Sequence, residues 1–309
     1  MNSISISKSL KNQKSQILGY MRHRSSESLE LVRRTFSETQ FKERAGAINK
    51  AVNETGENLL KGILQKAKKE NWKNDEILPC ILMITYCYYV TMIEARNDVW
   101  PYEYMTFSRR IGELWEPFCK IPFDYPTKEI EYFVPPLFSE IKAQLTKEID
   151  DYIDTLNIST KQKDELRRYY HKVWSLVTSG EIKLELDLHF TDGNSKYNVD
   201  FKSGFGSNEK GNTNRLLMVA TIYKNLEQNF KNIILVRSNE EANNHYYQTL
   251  KNSGVWEGYC GAAAYEKIAE FVGFDLKDWV QNNINWQKDF KEDTYEHFQN
   301  NNLTQYLQW

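Results

Sequence analysis

Residues 181–204, EIKLELDLHFTDGNSKYNVDFKSG, constrain the fold more than any other stretch of the chain. Two runs of alternating residues flank a turn-rich centre, the pattern of a β-hairpin with one buried face. In the first run Leu184, Leu186, Leu188 and Phe190 alternate with Lys183, Glu185, Asp187 and His189. In the second, Tyr197, Val199 and Phe201 alternate with Asn198, Asp200 and Lys202. A side-chain period of two puts each set on its own face. The connection Thr191-Asp192-Gly193-Asn194-Ser195 supplies the turn residues. A two-residue turn at Gly193-Asn194 sets Asp187 opposite Asp200 and Glu185 opposite Lys202. A turn at Asp192-Gly193 shifts that register by two residues and keeps the same face.

Three carboxylates and one lysine then share a patch. Folding alone disfavours this, because opposed like charges repel and raise each other's pKa. A hard divalent cation such as Mg²⁺ relieves the repulsion, taking oxygen ligands and only one or two carboxylates. The plain alternative is the solvated face of an edge hairpin, which commonly carries charge.

The 309 residues suffice for a sizeable core, in one large domain or two modest ones. Aromatic residues at 14% exclude disorder on a large scale, and a net charge of −2 confines any nucleic-acid contact to a local basic patch. The four cysteines show no CxxC spacing and the five histidines no HxH or HExxH pair, which argues against a zinc site or a disulfide framework. The first residues form no apolar signal segment, and no run reaches the length of a membrane span, so a reducing, cytoplasmic location is expected.

Along the chain, residues 1–26 read as a loose arm or a poorly formed first helix, and Arg22-His23-Arg24 as a solvated surface or a contact for phosphates. Helical periodicity runs from Glu27 to Lys69, interrupted at Asn53-Glu54-Thr55-Gly56. Asp75 is a plausible cap for an apolar helix through Ile93, which reads as buried core. In TFSRRIGELWEPFCKIPF, Ser108 caps a short helix that Pro117 ends at Glu116. Glu113 and Glu116 stand three apart on it, either as site acids or as an ordinary charged face.

Five of the seven prolines fall between Pro117 and Pro136, and the connection 121–136 is the sharpest candidate boundary. Helices are expected over residues 137–156 and from Lys161 to Val177. Beyond Lys202 a Gly- and Asn-rich polar loop brings Lys210, Asn212 and Arg215 towards phosphates. A helix from Leu216 to Leu226 and a buried strand from Asn232 to Val236 follow, then a strand at Val255–Cys260. A helix at Ala262–Val272 stops at Gly273, and Asp275 caps the next. The organisation is thus a helical N-terminal region, 1–105, that supports the core, a dimer or DNA contact, and an α/β core, 106–309.

The hairpin with Asp187, Asp200 and Lys202 resembles the PD-(D/E)XK nuclease superfamily, in which an acidic residue is followed across a turn by (Asp/Glu)-x-Lys. Asp200-Phe201-Lys202 matches the second half and Asp187 the first, with Leu186 at the motif's proline. SRRIGELWE resembles the helix that brings a glutamate to the site in many type II restriction endonucleases. FKSGFGSNEKGNTNRL resembles the segment after the catalytic lysine in some of them. The likeness extends loosely over residues 106–284.

It implies a mixed central sheet flanked by helices, with Asp187, Asp200 and the Phe201 carbonyl as ligands of Mg²⁺, which Mn²⁺ would replace. Lys202 would stand at the attacking water and Glu116 would be the helix carboxylate, with Glu113 as its competitor and Glu185 as a further acid. The implied activity is Mg²⁺-dependent, sequence-specific hydrolysis of double-stranded DNA by a homodimer. A repair or junction nuclease of the same fold is the alternative, and a non-catalytic binding module the third reading.

Overall fold

The computed structural model describes residues 4–175, 182–206, 209–226 and 229–309. Four long helices come first: α1 (Lys14–Thr35), α2 (Phe41–Glu70), α3 (Asn74–Val99) and α4 (Tyr104–Asp124). α2 owes its packing to a stripe at three- and four-residue steps: Ala45, Ile48, Val52, Gly56, Leu59, Ile63 and Ala67 are all buried. The expected break at Asn53–Gly56 is absent. Gly56 instead lets α2 approach α3, since a Cβ there would stand 2.9 Å from the Tyr88 ring.

α3 is buried nearly all round, with α1, α2 and α4 packed about it. It is long and apolar enough to cross a membrane, contrary to the sequence reading, but 78% of its most apolar window is buried inside the protein. It is a core helix. The N-terminal arm is not loose either, because Ile17, Leu18 and Met21 are buried on α1. Arg22 is bound by the buried Glu94 at 2.6 Å, and Lys14 by Asp289 at 2.8 Å. Arg22 stays partly exposed while its partner Glu94 is buried.

α4 runs straight through Pro117 and Pro122. Pro117 is exposed, so the carbonyl it cannot bond faces solvent and the helix need not end. After α4 come an edge strand β1 (Glu131–Tyr132), helices α5 (Phe138–Thr155) and α6 (Thr160–Ser175), and the hairpin β2 (Leu188–Thr191) and β3 (Lys196–Lys202). The C-terminal end of the expected 161–177 helix and the first residue of the 181–204 stretch lie outside the described residues.

α7 (Lys210–Asn225) and β4 (Phe230–Val236) follow, then α8 (His245–Lys251) and β5 (Glu257–Cys260). The chain closes with α9 (Ala262–Val272), α10 (Leu276–Asn283), α11 (Trp286–Asp289) and α12 (Glu292–Asn300). Gly273 and the Asp275 cap of α10 stand where expected, with Asp275 accepting from the Asp278 amide at 2.8 Å.

The sheet is mixed and in the order β1-β2-β3-β4-β5. β1 and β2, and β2 and β3, pair antiparallel; β3 with β4 and β4 with β5 are parallel. Parallel neighbours require crossovers, which α7 and α8 provide. Phe190, Val199, Phe201, Ile233 and Leu235 join the core that also contains α3, α4 and α9. The opposite face sends Ile234 and Val236 into a second core with Leu216, Val219 and Tyr223 of α7. The first core runs from Leu10 to Leu307, so packing continues across residue 105.

Candidate active site

The hairpin keeps the register of a turn centred on Gly193-Asn194: Leu188 pairs Val199, His189 pairs Asn198 and Phe190 pairs Tyr197. The ladder stops one residue short of Asp187. Residues 182–186 are therefore not the expected strand, and Leu184 and Leu186 enter the second core while Phe190 enters the first. The cause is local. The Leu186 amide donates to His189 Nε2 at 2.8 Å, which bends the chain at Asp187 and uses the donor that a continued strand would need.

That bend is fixed from across the sheet. With Nε2 accepting, His189 carries its proton on Nδ1 and donates to Asn198 Oδ1 at 2.8 Å. Asn198 Nδ2 donates to Asn232 Oδ1 at 2.9 Å, and Asn232 Nδ2 to the Val255 carbonyl at 3.1 Å. All three side chains are buried. Burial holds the His189 pKa below its ordinary value, against the hydrogen bond to Asn198 and the nearby Glu185 and Asp187 carboxylates, so the ring is neutral.

Asp200 is only 1% exposed, on the same face of β3 as Asn198. Lys202 Nζ is its ion partner and also donates to the Phe201 carbonyl at 3.2 Å. Asp200 Oδ2 is the oxygen that Lys202 Nζ contacts. Arg215 Nη2 lies 3.9 Å from Oδ1. Burial pushes the Asp200 pKa up to about 6, with Lys202 pulling it down and Asp187 pushing it up. Asp187 Oδ2 accepts from the Phe201 amide at 2.7 Å. Two carboxylates thus bracket one residue of β3.

α4 supplies the third carboxylate. Gly112 lets the helix approach the end of β3, since a Cβ there would be 2.6 Å from Ser203 Oγ. Trp115 packs on Phe201 with ring centroids 6.0 Å apart. One turn on, Lys120 Nζ stands 2.8 Å from Glu116 and 3.7 Å from Asp187, tying helix to hairpin. Glu116 is thereby linked to the hairpin, and Glu113 lines the same cleft beside Lys202. Glu113 is exposed and is held by Arg109 at 2.6 Å and Arg110 at 3.4 Å. Glu185 is also exposed, outside any strand, and does not oppose Lys202; its backbone carbonyl accepts from Arg215 Nη1 at 3.4 Å.

The expected polar loop is helical from Lys210 onward. Lys210 is exposed in its first turn, and Asn212 donates to Glu209 at 3.0 Å. Arg215 faces the Asp200 carboxylate and the Glu185 backbone carbonyl. Glu116, Phe201, Lys202, Arg109 and Gly206 line an open cleft of about 690 Å³ along the end of β3.

Among the described residues no three His, Cys, Asp or Glu side chains converge as a metal-ligand set. Two carboxylates and the Phe201 carbonyl do cluster, with Lys202 Nζ on the buried Asp200 and on that carbonyl. This is the small protein share that Mg²⁺ accepts. Sequence reasoning missed Lys120, although its four-residue spacing from Glu116 is a readable helix pair. It also missed Asn232, an amide interrupting the apolar run FKNIILV. No family model, no curated protein and no solved structure matches this chain.

Proposed function

We propose that the chain is a Mg²⁺-dependent endonuclease of the PD-(D/E)XK kind, cutting double-stranded DNA at specific sequences in the manner of a type II restriction enzyme. The observation that carries this reading is the buried Asp200, with Lys202 two residues on and Asp187 bound to the intervening amide. A mixed sheet with helices on both faces, and the glutamate-bearing α4 laid beside β3, support it further.

Asp187, Asp200 and the Phe201 carbonyl would hold the ion, whose charge serves the attacking water and a phosphate oxygen. Lys202 Nζ stands between Asp200 and that carbonyl. Lys202, which lines the cleft, would orient the water there and face the phosphate. Arg215 beside Asp200 and Lys120 beside Asp187 offset the negative charge of the two carboxylates. Cutting both strands of a palindrome calls for two such sites about a twofold axis, hence a homodimer.

The test is digestion of supercoiled and linear phage DNA with and without Mg²⁺, with Asp200→Ala alongside. A discrete, Mg²⁺-dependent ladder that the variant fails to produce is the expected outcome. Cleavage by the variant at the wild-type rate would sink the mechanism. Cutting confined to branched DNA would replace restriction by junction resolution, and no cleavage of any substrate would leave a binding module.

A further inference from the structure

Beyond the cleft lies a second cavity, of about 440 Å³, at the ends of the parallel strands β4 and β5. Arg237, Ser238 and Tyr306 line both cavities, so the two share a wall. The volume falls in the range of small-molecule sites, about 300–1,000 Å³. Aromatic surface comes from Tyr265 and Trp309, and amides from Asn239 and Gln281. This is the lining of a pocket for a flat, polar-edged ring.

The charge in the shared wall is uncompensated. Arg237 donates from Nε to Ser203 Oγ at 3.1 Å and from Nη1 to the carbonyls of Tyr306 and Gln308 at 3.2 and 2.9 Å. Among the described residues no carboxylate pairs with it, whereas Lys277 across the pocket has Glu266 at 2.8 Å. Burial lowers the Arg237 pKa, against the nearby Tyr265. A half-buried guanidinium whose acceptors here are all neutral suits an anion, and its planar fork suits phosphate.

We propose that this pocket receives one nucleotide of the nucleic-acid strand lying in the cleft, its phosphate on Arg237 and its base, unstacked, among Tyr265, Trp309 and the amides. An unstacked base is read by aromatic faces and hydrogen bonds to its edge. The inference rests on the cleft being a phosphodiester site, but its test does not use hydrolysis.

Isothermal titration of the full chain with adenosine 5′-monophosphate, without divalent ion, is compared with adenosine and with the variants Arg237→Gln and Ala262→Phe. Ala262 is exposed on the rim, so the phenyl ring fills the pocket while the Arg237 contacts to the C-terminal tail remain. The expected result is nucleotide binding that each variant weakens at least ~10-fold, that adenosine reproduces only weakly, and that a duplex oligonucleotide displaces. Asp200→Ala should bind the nucleotide as wild type does, whatever it does to cleavage, so failure of the hydrolytic reading is seen separately. No binding by the wild type, binding indifferent to Ala262→Phe, or a duplex that fails to displace the nucleotide overturns the proposal.

Discussion

Asp187 does not sit across the sheet from Asp200 as a ladder partner; its Oδ2 accepts a hydrogen bond from the Phe201 amide at 2.7 Å. The carboxylate reaches β3 where β2 has already ended, and it does so because His189 bends the chain just before it. The geometry of the acidic pair is thus a consequence of a buried imidazole.

Removing that imidazole should be costly. His189→Ala leaves the Leu186 amide and the Asn198 carbonyl oxygen buried without partners, a loss of about 2–4 kcal/mol in chemical denaturation. His189→Gln, which keeps an acceptor and a donor, should lose less. Because burial depresses the His189 pKa, its contribution is present above the unfolded value near 6.5 and is lost as pH falls through the folded one. A wild-type minus His189→Gln stability difference that does not shrink on acidification below that value contradicts the role.

Asp200 titrates with the opposite sign. Its folded pKa of about 6 lies above the ordinary carboxylate value, so its contribution is greatest in acid and is lost as pH rises through 6. Wild type should lose stability relative to Asp200→Asn between about pH 4 and pH 6, by on the order of 2–3 kcal/mol, with no further change above about pH 7. Divalent-ion binding should strengthen over the same window as the carboxylate ionises. Denaturant melts across that range decide it, and parallel curves for the two proteins would refute it.

The two helix glutamates should separate cleanly. Glu113 is exposed and already paired with two arginines, so Glu113→Gln should keep cleavage within ~2-fold and stability within about 0.5 kcal/mol. Glu116 is linked through Lys120 to Asp187, and Glu116→Gln should lower the cleavage rate at least ~10-fold. Single-turnover cleavage of one plasmid by both variants is the measurement. The reverse order of effects would make Glu113 the helix acid of the site.

Lys120 neutralises Glu116 and Asp187 together, so Lys120→Met leaves two carboxylates facing each other. Added Mg²⁺ should then raise the melting temperature of the variant more than that of the wild type, by about 2 °C or more. Equal shifts in a thermal scan would mean that no divalent ion binds beside Asp187.

Much of this was readable along the chain. Alternation and the turn residues set the hairpin register, since both act between residues close in sequence, and Ala262–Val272 with its Gly273 stop follows from periodicity alone. Asp200-Phe201-Lys202 stood out as a motif, and its burial follows from lying on a central strand. Other readings failed where distant contacts override local preference. Pro117 was expected to stop a helix that an exposed position lets continue, and Gly56 to break one that it brings against Tyr88.

The sequence by itself determined which residues can share a strand face and which chemistry they carry, because those depend on spacing and side-chain type. Packing alone fixed where β2 ends, that Lys120 joins Glu116 to Asp187, and that Arg237 meets no carboxylate among the described residues. Each of these turns on a contact between segments far apart in the chain: Asn198 with Asn232, Gly112 with Ser203, Arg237 with the tail at Gln308. Such contacts exist only once the sheet has been packed between its helices.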